Sequence, residues 1–148
     1  SPRVAVPVDL ANEEFPGPLV AAGFDPAAPT IVVWEGVINY LTAAAAEAVV
    51  ATLGTFVAPG SRLIADYVEM NWFRGGEFER STAGIKERLG DGGEPLRAGL
   101  PDAHGTLQRA GFTVIDDEAV ELLPPRYGLP ARQRFYPARM FTAVRDPR

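Results

Sequence analysis

Short aliphatic runs alternate with amphipathic stretches along this chain. Val4-Ala5-Val6-Pro7-Val8 reads as a strand ending at Asp9-Leu10. Pro7 has no N–H for a ladder, so this segment is an edge strand or a strand end. Asn12 is placed to cap a short helix through Leu19–Ala22, closed by Gly23. Asp25-Pro26 marks a turn before a second strand, Ile31–Trp34. Thr42 caps the clearest helix, Ala43–Val57, where Val49, Val50, Leu53, Phe56 and Val57 recur at helical spacing. Ala58-Pro59-Gly60 stops it, and Arg62–Val68 is a third strand. Residues 69–101 form a polar, Gly-rich insertion or lid with a predicted helix from Phe78 to Leu89. Asp102 can cap a helix to Ala110, ended by Gly111. Phe112–Ile115 and Arg139–Val144 are the last two strands, joined by a Pro-rich stretch.

Strands that alternate with helices predict an α/β fold with a mainly parallel sheet. No helix separates the last two strands, so one of them is expected to run antiparallel. Open sheets of this kind bind ligands beyond the carboxyl ends of their strands. The abrupt break from Ile31-Val32-Val33-Trp34 into Glu35-Gly36 is therefore the most informative stretch of the chain. No G-x-G-x-x-G occurs anywhere, so the phosphate- or cofactor-cradling turn that usually opens a nucleotide-binding domain is missing. The pattern is that of the back half of a nucleotide-cofactor enzyme.

Composition narrows the options. The 148 residues, 47% hydrophobic and 22% charged, suit one domain. Without cysteine there is no disulfide framework, Cys-ligated zinc or thiol nucleophile, and a lone His104 excludes a His-rich metal site. No run reaches membrane-spanning length, and a cytoplasmic location is expected. The net charge of −5 hides an asymmetry: residues 122–148 carry six Arg and one acid, Asp146. Those arginines alternate with apolar residues in a chain that is acidic as a whole, so nucleic acid and membrane surfaces are not expected partners. They are expected to pair with the acidic body.

Several stretches together resemble the leucine carboxyl methyltransferase family, in its bacterial S-adenosylmethionine-dependent branch. They are Val6–Leu10 (VPVDL), Ala22–Pro26 (AGFDP), Pro29–Leu41 (PTIVVWEGVINYL), Ala58–Leu63 (APGSRL), Gly93–Leu96 (GEPL) and Ala110–Phe112 (AGF). The resemblance implies the C-terminal part of a Rossmann-like class I methyltransferase sheet, with an antiparallel last strand and S-adenosylmethionine as cofactor. Family members carry two further strands before VPVDL, so residues 1–148 are expected to be a single, incomplete methyltransferase domain, inactive alone. The family's strand order, 3-2-1-4-5-7-6, would leave Ile31–Val33 as an open apolar edge, and a homodimer is the expected remedy.

The resemblance makes Asp9 and Leu10 the adenine contacts and Glu35 a contact near the amino-acid end of the cofactor. The plain alternatives are a turn aspartate and a solvated strand-end carboxylate. Asn39 and Tyr40 could border the acceptor, or Tyr40-Leu41 could be core. Tyr67, Met70, Asn71, Trp72 and Phe73 suit an apolar acceptor pocket for a small-molecule or carboxylate substrate, or simply cover the sheet's end. His104 reads as a surface histidine. Arg126, Arg132 and Arg134 could clamp a carboxylate. Transfer to a carboxylate oxygen needs alignment more than acid–base help, so no triad is required. The competing reading is a non-enzymatic α/β domain that recruits another chain.

Overall fold

A computed structural model of the chain describes residues 3–11, 14–68, 99–130 and 138–147. In chain order these form α1 (Pro16–Ala21), β1 (Ile31–Trp34), a 3₁₀ turn (Ile38–Tyr40), α2 (Ala43–Phe56) and β2 (Arg62–Val68). After residue 98 come α3 (Ala103–Arg109), β3 (Phe112–Ala119), a second 3₁₀ turn (Val120–Leu122), α4 (Leu123–Arg126) and β4 (Ala138–Arg145). The expected helix at Phe78–Leu89, together with Asn12, Met70, Asn71, Trp72, Phe73, Arg132 and Arg134, lies outside the described residues.

The caps read from the sequence are in place. The Thr42 hydroxyl accepts from the Ala45 N–H at 3.2 Å, opening α2. Asp102 accepts from the Gly105 N–H at 3.0 Å, opening α3. The short helix expected after Asn12 is α1. That helix starts at Pro16, with Phe15 as a cap that offers no side-chain acceptor. A proline in the first turn needs no donor partner, which lets α1 begin without a polar cap.

The sheet has the order β1-β2-β4-β3 among the described residues. β1 and β2 are parallel, and β4 runs antiparallel to both β2 and β3. Three strands thus share one direction, and the reversed strand is wedged between two of them. Val4–Val8 is not a strand: residues 3–9 are irregular, and among the described residues β1 pairs with β2 alone. Val8 and Leu10 pack against the core instead.

One face of the sheet carries the core. Trp34, Leu63, Ala65, Tyr67, Phe112, Phe141 and Ala143 point to it and meet Val49, Val50 and Leu53 of α2 and Leu107 of α3. Phe15, edge-on, and Phe24, stacked, extend it against Phe56. The opposite face is open at β1, where Ile31 and Val33 are 65% and 63% exposed. In β3 the alternation is broken. Val114 pairs with Ala143 but Asp116 pairs with Thr142, so Ile115 is an extra, bulged residue. A bulge exchanges the faces of the residues beyond it. Asp117 therefore turns to the core side, while Asp116 and Glu118 turn outward and pair with Arg126 at 2.7 and 2.9 Å.

Arg145 closes the amino end of the sheet. It is buried, and its guanidinium donates to the carbonyls of Gly54 (2.6 Å), Gly111 (2.8 Å) and Asp146 (3.2 Å). Gly54 lies in the last turn of α2 and Gly111 just past α3, where helix dipoles present partial negative charge. At the other end, Asp117 accepts from the Tyr67 hydroxyl (2.9 Å) and Arg139 Nε (2.9 Å), joining β2, β3 and β4.

Arg145→Met removes the guanidinium's hydrogen bonds to the Gly54, Gly111 and Asp146 carbonyls, of which Gly111 keeps the Asp146 N–H. A loss of roughly 3 kcal/mol in urea-unfolding stability is expected, with only partial recovery in Arg145→Lys, which lacks the planar fork. Gly54→Ala is expected to cost about 1–3 kcal/mol, because its Cβ would stand 2.1 Å from the Ala110 carbonyl oxygen. The Asp117 carboxyl is held below its ordinary range: burial pushes it up, but hydrogen bonds from His104, Tyr67 and Arg139 together outweigh that. The folded chain thus binds this proton less readily than the unfolded chain does. The resulting stability is present above about pH 4 and is lost as pH falls through the lowered value. Urea midpoints followed from pH 6 to pH 3 should fall less steeply in Asp117→Asn than in the parent.

Candidate functional site

The carboxyl ends of β1 and β2 are built by polar side chains rather than by the core. β1 runs out at Trp34, and the chain turns at Glu35-Gly36. Gly36 has φ +71°, in the left-handed region that favours glycine. Its N–H donates to Asp66 Oδ1 at 2.6 Å. Asp66 faces away from the core between the buried Ala65 and Tyr67, and its carboxylate fixes the turn that presents Glu35. Glu35 is exposed and makes no hydrogen bond or ion pair among the described residues. Beneath it, Trp34 is only 6% exposed, yet its indole N–H has no acceptor among the described residues. A buried donor of this kind costs free energy unless something accepts from it.

Asp9 stands between the inward Val8 and Leu10 and is itself exposed. Its Oδ1 accepts from the Ala11 N–H at 2.9 Å, the geometry of a turn aspartate.

Asn39 and Tyr67 are held inside. Asn39 is buried, and its Oδ1 accepts from the Val68 N–H at 3.1 Å, locking the 3₁₀ turn to the end of β2. The chain returns beside it at Gly99, whose hypothetical Cβ would stand 3.1 Å from the same oxygen. Tyr67 is buried with its hydroxyl on Asp117. Tyr40 is half-buried and Leu41 buried, so Leu41 belongs to the core. Arg126 is no clamp for a substrate carboxylate, because Asp116 and Glu118 already hold its guanidinium. Arg126 and Arg139 pair with the acidic body as composition predicts, whereas Arg145 goes inward onto carbonyls. His104 is at the surface, as expected, but its Nε2 lies 2.6 Å from Asp117 Oδ2.

Two residues of this region escape a reading of the sequence. Asp66 had a signal, an acid inside an otherwise apolar strand. Asp117 had none, because only the bulge turns it inward.

These groups fit part of an S-adenosylmethionine site. Glu35 offers an acceptor at the end of β1, Asp9 stands in a turn beside the core, and Trp34 offers an unused donor among the described residues. Among the described residues no cluster of His, Asp and Glu could hold a metal ion. No helix among them is long and apolar enough to cross a membrane.

Comparison with known proteins bears on the fold and on the sequence match. The family model of leucine carboxyl methyltransferases matches residues 1–54. A protein of Mycobacteroides abscessus, provisionally named an S-adenosyl-L-methionine-dependent methyltransferase, is 35% identical over 97% of this chain and 51% of its own length. The chain thus spans about half the length of the curated relative it matches along nearly all of its residues. Among solved structures, a DUF574-family protein from Streptomyces avermitilis superimposes with a TM-score of 0.65 at 12% identity, over 95% of this chain and 53% of that one. Magnesium protoporphyrin IX methyltransferase from Synechocystis, solved with bound SAH, gives 0.51 at 21% identity over 94% and 49%. Both share the fold, a class I methyltransferase sheet. By the matched sequence and the shared sheet, this chain is similar to the leucine carboxyl methyltransferase family over residues 1–54 and to a methyltransferase relative over nearly all of its residues.

Proposed function

We propose that this chain serves an S-adenosylmethionine-dependent O-methyltransferase whose acceptor is a carboxyl or hydroxyl group of a small molecule. The observation that carries the reading is Glu35, a carboxylate with no partner among the described residues, presented by the Gly36–Asp66 turn at the end of a strand in the part of the chain that the family model matches. Glu35 takes the ammonium end of the cofactor. Asp9 accepts from the adenine amine, and the Leu10 backbone N–H donates to a ring nitrogen. When bound, the cofactor supplies a methyl group already activated on a sulfonium sulfur. The chain's residues orient that group and keep water out. Asn39, Tyr40, Tyr67 and Trp72 border the acceptor. A cytoplasmic location fits a chain without cysteine.

The open face of β1 supports a second copy as partner. Ile31 and Val33 are exposed apolar residues on a strand whose outer edge has no partner among the described residues. Such an edge is a template for pairing. Should cofactor binding fail, assembly through this edge becomes the function, and the chain is a non-enzymatic oligomerisation domain.

Calorimetry of S-adenosylmethionine with the 148-residue chain should give binding in the millimolar range. A missing Gly-rich turn worth about 4 kcal/mol moves a micromolar affinity to roughly millimolar. Micromolar binding would overturn this. Asp9→Ala and Glu35→Ala should each weaken the cofactor by about 1–3 kcal/mol in the intact enzyme, and unchanged affinity in both would retire the assignment. Light scattering should return a dimer mass that falls to the monomer in Val33→Lys. A monomer at all concentrations would rule the edge out as an interface.

A further inference from the structure

One polar cluster at the carboxyl end of the sheet is not spoken for by the cofactor contacts. Its centre is Asp117, whose side chain is only 10% exposed. Oδ1 accepts from Arg139 Nε at 2.9 Å, and Arg139 also donates to the Asp117 carbonyl at 2.9 Å. Oδ2 accepts from the Tyr67 hydroxyl at 2.9 Å and lies 2.6 Å from His104 Nε2. An ionised carboxylate can only accept, so in the neutral ring the hydrogen sits on Nε2 and the lone pair on Nδ1; this tautomer is assigned from the bonding pattern. The His104 side chain is 60% exposed, and Nδ1 has no partner among the described residues. A nitrogen lone pair open to the surroundings, on a ring oriented by a carboxylate, is the arrangement of a general base.

A simple surface pin explains less. Exposed ion pairs contribute about 0–1 kcal/mol, and Asp117 already has Arg139 as counter-charge. The cluster also stands where a ligand would. Tyr67 and Asp117 lie toward the carboxyl ends of β2 and β3, the two strands that flank the reversed β4. α3 brings His104 there directly after the chain returns beside Asn39. Among the described residues, the charged and titratable groups around the ring are Asp102, itself paired with Arg109, Asp117 of β3, and Tyr67 of β2 and Arg139 of β4 through Asp117.

We infer that His104 accepts the proton of a hydroxyl on the methyl acceptor, with Asp117 as its positioning carboxylate, so that the acceptor is an alcohol or phenol rather than a carboxylate. This rests on the O-methyltransferase reading and sharpens its substrate class. The acceptor O–H bond breaks, its electron pair stays on oxygen, and the proton goes to His104 Nδ1. The imidazolium, held by the ionised Asp117, then releases the proton to water. A carboxylate acceptor is already ionised near neutral pH and has no such proton to lose. The lowered titration of Asp117 keeps it charged throughout this range.

His104 is the only histidine of the chain, so its ring nitrogens give unambiguous ¹⁵N signals. The 148-residue chain is titrated with 4-nitrophenol, whose ionisation is read by its colour, and separately with 4-nitrobenzoate. The expected result is an Nε2–H tautomer whose Nδ1 signal moves with 4-nitrophenol and not with 4-nitrobenzoate, together with a lowered apparent pKa of the bound phenol. Asp117→Asn should lose the tautomer preference. His104→Asn should keep the parent's melting temperature and lose the colour change. An Nδ1 signal that ignores the phenol, an equal response to the benzoate, or a colour change that survives in His104→Asn would overturn the inference. Neither readout uses the cofactor. A failure of S-adenosylmethionine to bind, seen by calorimetry, therefore strikes the methyltransferase reading and not this result.

Discussion

A single buried cation holds the amino end of this domain together. Arg145 takes its acceptors from the last turn of α2, the turn after α3 and its own strand end, and its backbone pairs with Gly60 and Ser61 at the start of β2. No carboxylate neutralises it among the described residues. The partial negative charge at the ends of two helices does so instead. This solution costs little in desolvation, because a planar guanidinium with five donors can satisfy several carbonyls at fixed angles. It also sets α2 and α3 against the same face of the sheet, and the core forms between them.

With one end tied by carbonyls, the other is free to carry side-chain chemistry. There the joins are polar and specific: Asn39 to β2, Asp66 to the Gly36 turn, Asp117 to Tyr67 and Arg139. Each is a carboxylate or amide whose acceptor capacity exceeds what its structural bond uses. The division matches the general behaviour of open α/β sheets, in which stability concentrates in the packed layers and ligands meet the strand ends. The open β1 face departs from that division. Its valine and isoleucine would be ordinary core residues beneath another layer.

The sequence by itself determined what local physics controls. Thr42 and Asp102 opened their helices because a cap needs only a side-chain oxygen within one turn. β2 followed its apolar alternation from Arg62 to Val68, and the last strand runs antiparallel as expected, although the one-turn helix α4, unexpected from the sequence, lies before it. Asp9, Glu35 and Asn39 were legible as candidates because each comes after an aliphatic run, of which only Ile31–Trp34 is a strand, and the family resemblance gave them the roles proposed above. The tertiary structure decided the rest. Val4–Val8 has strand-like composition but no ladder among the described residues, and a strand without a partner is not a strand. Arg145 looked like one more surface cation until two helix ends supplied its acceptors. Asp117 became the centre of the polar cluster only because one bulged residue, Ile115, exchanged the faces of β3. Pairing, register and burial depend on residues far apart in the chain, and no local pattern carries them.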